Sequence, residues 1–188
     1  MHILEERILK DATVKAGNVL NMESFLNHQV DPELMEQLAA EFCRRFADLS
    51  ITKVLTLETS GIAVAYPVAR LLGVPLVYAR KAKSSRMSDA YVAPVENMSK
   101  KKSHVVVSKA VLGEEDRVLI IDDILSGGFT LQALISLVEA AGATVEGLGI
   151  AVEKGFEEGG WRIRNLGYRL EALAVVKSLD TGICFENT

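Results

Sequence analysis

The chain has 188 residues, 49% of them hydrophobic and 24% charged, with a formal net charge of −4. That is enough for one α/β domain with a full core. The mild acidity gives no argument for nucleic-acid or membrane binding, and no apolar run reaches the length of a membrane span. Cys43 and Cys184 are too few for a disulfide frame or a zinc site. The first residues carry early acids and no apolar run of signal-peptide type, so a soluble, cytoplasmic chain is the expectation.

Residues 5–12 read as a helix and residues 13–22 as short extended pieces. Asp31-Pro32-Glu33 is a helix start, with a capping side chain, a proline at the first helical position and an acid facing the dipole. Leu34, Leu38, Phe42 and Phe46 then repeat on one apolar face. Residues 53–58 read as the first core strand, 62–72 as a helix closed by Gly73, and 75–79 as the second strand. Strand, helix and strand with short connections predict a parallel βαβ unit. Residues 80–103 read as a long polar segment with few elements of its own, the kind of loop that closes over a site. A strand resumes at Val105-Val106-Val107. Residues 145–152 form another strand, 157–160 a turn, and 168–176 an extended segment.

The richest stretch is Val118-Leu119-Ile120-Ile121-Asp122-Asp123-Ile124-Leu125-Ser126-Gly127-Gly128-Phe129-Thr130. It reads as a strand buried on both faces, two adjacent carboxylates, a small-residue turn and a helix beginning at Thr130. A turn that opens a helix offers free N–H groups and the positive end of a dipole to a phosphate. Two carboxylates beside such a site suit sugar hydroxyls or a bound Mg²⁺. A phosphorylated sugar fits all three features. A Walker B strand would need a G-x-x-x-x-G-K-[ST] loop elsewhere, and none occurs.

This stretch resembles the signature of the type I phosphoribosyltransferases, which bind phosphoribosyl pyrophosphate (PRPP). Asp122, Asp123, Ser126, Gly127, Gly128 and Thr130 match it, and Phe129 departs from a small or polar position. The resemblance implies a doubly wound, mainly parallel sheet over residues 1–188, with a small hood from about 1–30 and 154–188. It makes Asp122 and Asp123 the catalytic pair and Ser126, Gly127, Gly128, Phe129 and Thr130 the PRPP loop. Mg²⁺ accompanies the substrate, carried by PRPP with Asp122 and Asp123 as available ligands.

Glu58-Thr59-Ser60-Gly61 closes a strand and opens a helix, where open α/β sheets bind ligands. An ordinary helix cap explains the same residues. The resemblance assigns Thr59, Ser60 and Gly61 to pyrophosphate, together with Arg80 and Lys81 after the second strand. Lys83 and Arg86 follow soon after, whereas Lys100-Lys101-Lys102 reads as a solvated run.

Segments around Leu20, residues 24–32, 58–63, 72–75, 79–81 and Val152-Glu153-Lys154 are similar to the xanthine branch of the family, of the Gram-positive type. That similarity makes Leu20 an apolar contact, Asn27 a hydrogen-bonding partner and Lys154 the cation for xanthine, and it implies a homodimer. Phe25 and Phe156 are candidate stacking partners, and His28 reads as structural. Adenine or guanine/hypoxanthine transfer is the runner-up. A PRPP- or purine-sensing regulator would need a DNA-reading appendage, for which no pattern occurs.

Overall fold

The computed structural model describes residues 1–82, 88–96 and 102–186. Lys83, Arg86, Lys100 and Lys101, named above, lie outside the described residues. The chain opens with helix α1 (His2–Asp11), a small hairpin of β1 (Thr13–Lys15) and β2 (Val19–Asn21), and a π-helical turn over Glu23–Asn27. Helix α2 (Pro32–Arg45) starts where its sequence dictates: Asp31 Oδ1 accepts from the N–H groups of Glu33 and Leu34. Its Leu34, Leu38 and Phe42, with Phe46 just beyond, are all buried.

Strand β3 (Lys53–Leu57), helix α3 (Gly61–Leu72) and strand β4 (Leu76–Ala82) form the expected parallel βαβ unit. Gly73 closes α3 in the left-handed region at φ 69°. The described parts of residues 80–103 carry more regular structure than their polarity predicts. Strands β5 (Ala90–Glu96) and β6 (Lys102–Ser108) pair as an antiparallel hairpin, and β6 adds antiparallel to β4. Pro94 is tolerated because β5 is an edge strand. Strand β7 (Arg117–Leu125), helix α4 (Phe129–Ala140), strand β8 (Thr144–Lys154), helix α5 (Gly159–Asn165), strand β9 (Leu170–Ser178) and the short β10 (Cys184–Phe185) complete the chain.

The main sheet runs β10-β9-β8-β7-β3-β4-β6-β5. Its five inner strands, β9, β8, β7, β3 and β4, are parallel. Side chains alternate across β7: Leu119 and Ile121 enter the core shared with α1, α2 and α3, while Val118 and Ile120 enter the core shared with α4. The sheet is therefore wound on both faces. Consecutive parallel strands turn opposite ways from β3, so β3 and β7 flank the switch point. In such sheets the crevice beyond the carboxyl ends of the flanking strands is the ligand site. Both motifs singled out from sequence follow those two strands. No helix among the described residues is long and apolar enough to cross a membrane.

Candidate active site

Nine-residue strand β7 delivers Asp122 and Asp123 to the crevice almost fully buried. The two are locked together locally, since the Asp123 N–H donates to Asp122 Oδ1 at 3.1 Å. Desolvation first, and then the neighbouring Asp123 charge, raises the Asp122 carboxyl well above the usual carboxylate range, with the Lys81 ammonium opposing both. A cation entering beside this pair would relieve both costs at once.

The turn after β7 is small by steric need. Gly128 sits at φ 82°, and a Cβ on Gly127 would stand 2.8 Å from the Phe129 ring. Phe129 turns its ring across Gly127 and stacks under the Arg162 guanidinium at 4.8 Å, and helix α4 begins at that residue. A large side chain therefore fits the loop without entering it. Residues 126–130 line a cavity of about 290 Å³ with Asp122, Ile124, Leu125, Leu131, Val95 of β5 and Glu157.

The turn after β3 meets the same pair from the other side. Gly61 opens α3 so close to β3 and β7 that a Cβ would lie 2.2 Å from Thr56 Oγ1 and 2.6 Å from Asp122 Oδ1. Thr56 Oγ1 is itself buried with no hydrogen-bond partner among the described residues. Thr59 and Ser60 precede Gly61, and the Glu58–Thr59 peptide is cis. Glu58 ties this turn to the end of β4, accepting from the Lys81 N–H at 2.9 Å and from Arg80 Nε at 3.3 Å. Residues 59–61, 80–81 and 122 thus form one continuous rim, with the Arg80 and Lys81 side chains exposed on it.

The three residues expected to contact the base lie on three elements. Leu20 is buried on β2 in the core that also holds Val152 and Val176; Val176 is the register partner of Lys154. Asn27 ends the π-helical turn, and its Oδ1 is buried and unpartnered among the described residues. Lys154 ends β8, mostly buried, with its ammonium 3.2 Å from Glu157. Phe25 is fully buried with the Arg7 guanidinium 5.2 Å over its ring, so that ring is a core group and not a stacking surface. Phe156 is 40% exposed beside Lys154, and His28 is exposed.

Several site groups escape sequence reasoning. Thr56 is a lone hydroxyl in the mainly apolar β3, and Glu153 is one of two acids in β8. Glu153 proves to be buried and held bidentately by Arg164, at 2.7 and 2.8 Å. The two residues lie on different elements, β8 and α5, so no period within one element links them. Residues 157–160, expected as a turn, run into α5, whose start at two glycines disguises it.

Mg²⁺ chemistry fits this donor set. Among the described residues no group of three or more His, Cys, Asp or Glu forms a complete metal cage. A carboxylate that lines a phosphate-sized cavity, Asp122, with Asp123 adjacent to it, matches the way Mg²⁺ is held, by one or two carboxylates and substrate phosphates.

A parallel switch-point crevice with an acid pair, a glycine turn and a second turn opposite defines a nucleotide- or sugar-phosphate-handling fold. Residues 23–164 match the phosphoribosyl transferase domain model, and the chain belongs to that family of transferases. Its relatives lie in the xanthine branch. It is 50% identical to the xanthine phosphoribosyltransferase of Bifidobacterium adolescentis, covering 96% of this chain and 95% of that one. It is 49% identical to that of Lachnoclostridium phytofermentans, covering 96% and 94%, and 46% identical to that of Bacillus cereus, covering 97% and 93%. Among solved structures it shares the fold of adenine phosphoribosyltransferase from Rhodothermus marinus, with TM-score 0.78 at 22% identity over 94% of this chain and 100% of that one. It is also similar to the Giardia lamblia enzyme complexed with 9-deazaadenine, with TM-score 0.75 at 25% identity over 92% and 96%.

Proposed function

We propose that this chain transfers the phosphoribosyl group of PRPP to xanthine, giving xanthosine 5′-monophosphate and pyrophosphate, as a step of purine salvage in the cytoplasm. The observation that carries the reading is the buried pair Asp122 and Asp123 at the switch point, between a glycine turn that opens α4 and a second turn that opens α3.

In this reading the N–H groups of residues 126–130 and the Thr130 hydroxyl hold the 5′-phosphate at the start of α4. Asp122 and Asp123 take the ribose hydroxyls and fix the anomeric carbon. The turn of Thr59, Ser60 and Gly61, with Arg80 and Lys81, holds the pyrophosphate as it departs. Mg²⁺, held by PRPP and by Asp122 or Asp123, supplies charge neutralisation to that leaving group. The purine nitrogen attacks as pyrophosphate leaves, through a transition state of oxocarbenium character. The orientation enforced by the two turns excludes water from the same carbon.

Three features support xanthine as the acceptor. Lys154 provides a cation for a base that is readily anionic, and its Glu157 partner is the group that such an anion replaces. Asn27 Oδ1, buried without a partner, is satisfied by a base N–H. Identity to the relatives named for xanthine is about twice that to the adenine enzymes. The N-terminal hairpin and π-helical turn then hood the base. Exposed Tyr78 and Val111, beside a cavity of about 690 Å³ lined by β4 and β6, support a homodimer, and Arg80 lines that same cavity.

The test is pyrophosphate release from PRPP and Mg²⁺ with xanthine, guanine, hypoxanthine and adenine in parallel. A strong preference for xanthine is expected. Preference for another base discards the base-contact trio, and no release with any base discards the transfer.

A further inference from the structure

Helix α5 lies directly behind the phosphate turn. A Cβ on Gly159 would stand 1.9 Å from the Ser126 carbonyl oxygen and 2.8 Å from the Gly128 nitrogen. A Cβ on Gly160 would stand 1.8 Å from Glu153 Oε1 and 2.6 Å from Arg164 Nη1. The first turn of α5 is therefore wedged between residues 126–128 on one side and the Glu153–Arg164 pair on the other. That pair is bidentate, with a buried carboxylate, and it crosses from the end of β8 to α5. A planar two-bond clamp fixes direction as well as distance. Two residues before Arg164, Arg162 closes over Phe129, the first residue of α4.

We infer that Glu153 and Arg164 are positioning residues for PRPP: their clamp presses Gly159 against Ser126 and Gly128 and holds the phosphate turn in its binding shape. This rests on the assignment of residues 126–130 to the phosphate of PRPP. Neither side chain touches the substrate, and neither takes part in the transfer. Their work is preorganisation, because an unbraced glycine turn samples shapes in which its N–H groups no longer converge. Glu153 also immediately precedes Lys154, so the clamp and the base cation share one strand end.

The experiment measures kcat and both KM values for Glu153→Gln, Arg164→Lys and Gly159→Ala, with circular dichroism and Tm recorded for each. Weakening a charge-assisted bond in the clamp is expected to raise the PRPP KM about tenfold. The kcat and the xanthine KM stay within about twofold of the wild type. Gly159→Ala leaves the charges in place and moves the same constant in the same direction, because it displaces Ser126 directly. Thr130→Ala reports on the underlying assignment. If it raises the PRPP KM while folded Arg164→Lys and Gly159→Ala do not, the brace is wrong and the phosphate turn stands. If Thr130→Ala also leaves the PRPP KM unchanged, the assignment falls and takes the brace with it. A parallel loss in kcat and both KM values, together with a lowered Tm, reduces the pair to a stabilising contact and overturns the inference.

Discussion

The two ends of the central strands treat polar groups in opposite ways. At the amino ends of β3 and β7 the polar groups satisfy one another. Lys53 Nζ donates to Asp116 Oδ2 at 2.8 Å and to the Val111 carbonyl at 2.7 Å, and the Gly113 N–H donates to the same carboxylate at 2.9 Å. Thr52 Oγ1 accepts from the Arg117 N–H at 2.8 Å, and the Arg117 side chain donates to the Ser50 carbonyl. At the carboxyl ends, Thr56 Oγ1 and, in the π-helical turn, Asn27 Oδ1 are buried without partners among the described residues, and two carboxylates share one crevice. Their pKa shifts follow. Desolvation pushes Asp116 up, but Lys53 and the Gly113 N–H overcome it and leave the group lowered. Desolvation and Asp123 together leave Asp122 raised. An end satisfied by its own chain is scaffold, while an end left wanting partners is a site.

The sharpest way to break this contrast is Asp123→Ala. Loss of a group that orients the reacting sugar is expected to lower kcat/KM by at least about 10³-fold, with no loss of Tm. Lys154→Ala is expected to raise the xanthine KM by roughly 10- to 100-fold, the range for a charge-assisted hydrogen bond, and to leave the PRPP KM unmoved. Gly61→Ala forces a methyl group against Thr56 and Asp122. It is expected to cost about 1–3 kcal/mol of stability, read by denaturant unfolding, and to weaken PRPP binding.

The pH dependence of stability separates the two ends by sign. A raised folded-state pKa at Asp122 contributes stability below its unfolded value and loses it as pH rises through the folded one. Asp122→Asn is therefore expected to raise Tm at neutral pH, and the advantage disappears as the pH falls toward about 4. A lowered pKa at Asp116 contributes stability above its unfolded value and loses it as pH falls through the folded one. Asp116→Asn is expected to lower Tm at neutral pH, and that penalty fades below about pH 4. Thermal scans of both variants should converge on the wild type from opposite sides as the pH falls. The smallest expected effect is at the surface: Arg70→Ala removes a pair with the half-exposed Glu36 and should change stability by less than about 1 kcal/mol.

The phosphate half of the site was legible because its chemistry is written contiguously. Four apolar residues, two acids and a glycine turn specify strand, carboxylates and helix opening within thirteen positions, and α4 begins one residue before its expected start. The capping of α2 by Asp31 and the closing of α3 by Gly73 were local signals of the same kind. The hairpin was only half legible: Val105-Val106-Val107 marks β6, whereas β5 is short of alternation and carries Pro94, and pairing with β6 supplies what propensity does not. Glu153 and Arg164 were hidden for a different reason. Their meeting depends on how α5 returns across β8, which no local period encodes.

The most direct measurement places one variant from each end side by side: pyrophosphate release from PRPP and xanthine by Asp123→Ala and by Asp116→Asn, with Tm for each. The expected result is an inactive but fully stable Asp123→Ala beside an active but destabilised Asp116→Asn. Wild-type turnover in Asp123→Ala would contradict the account.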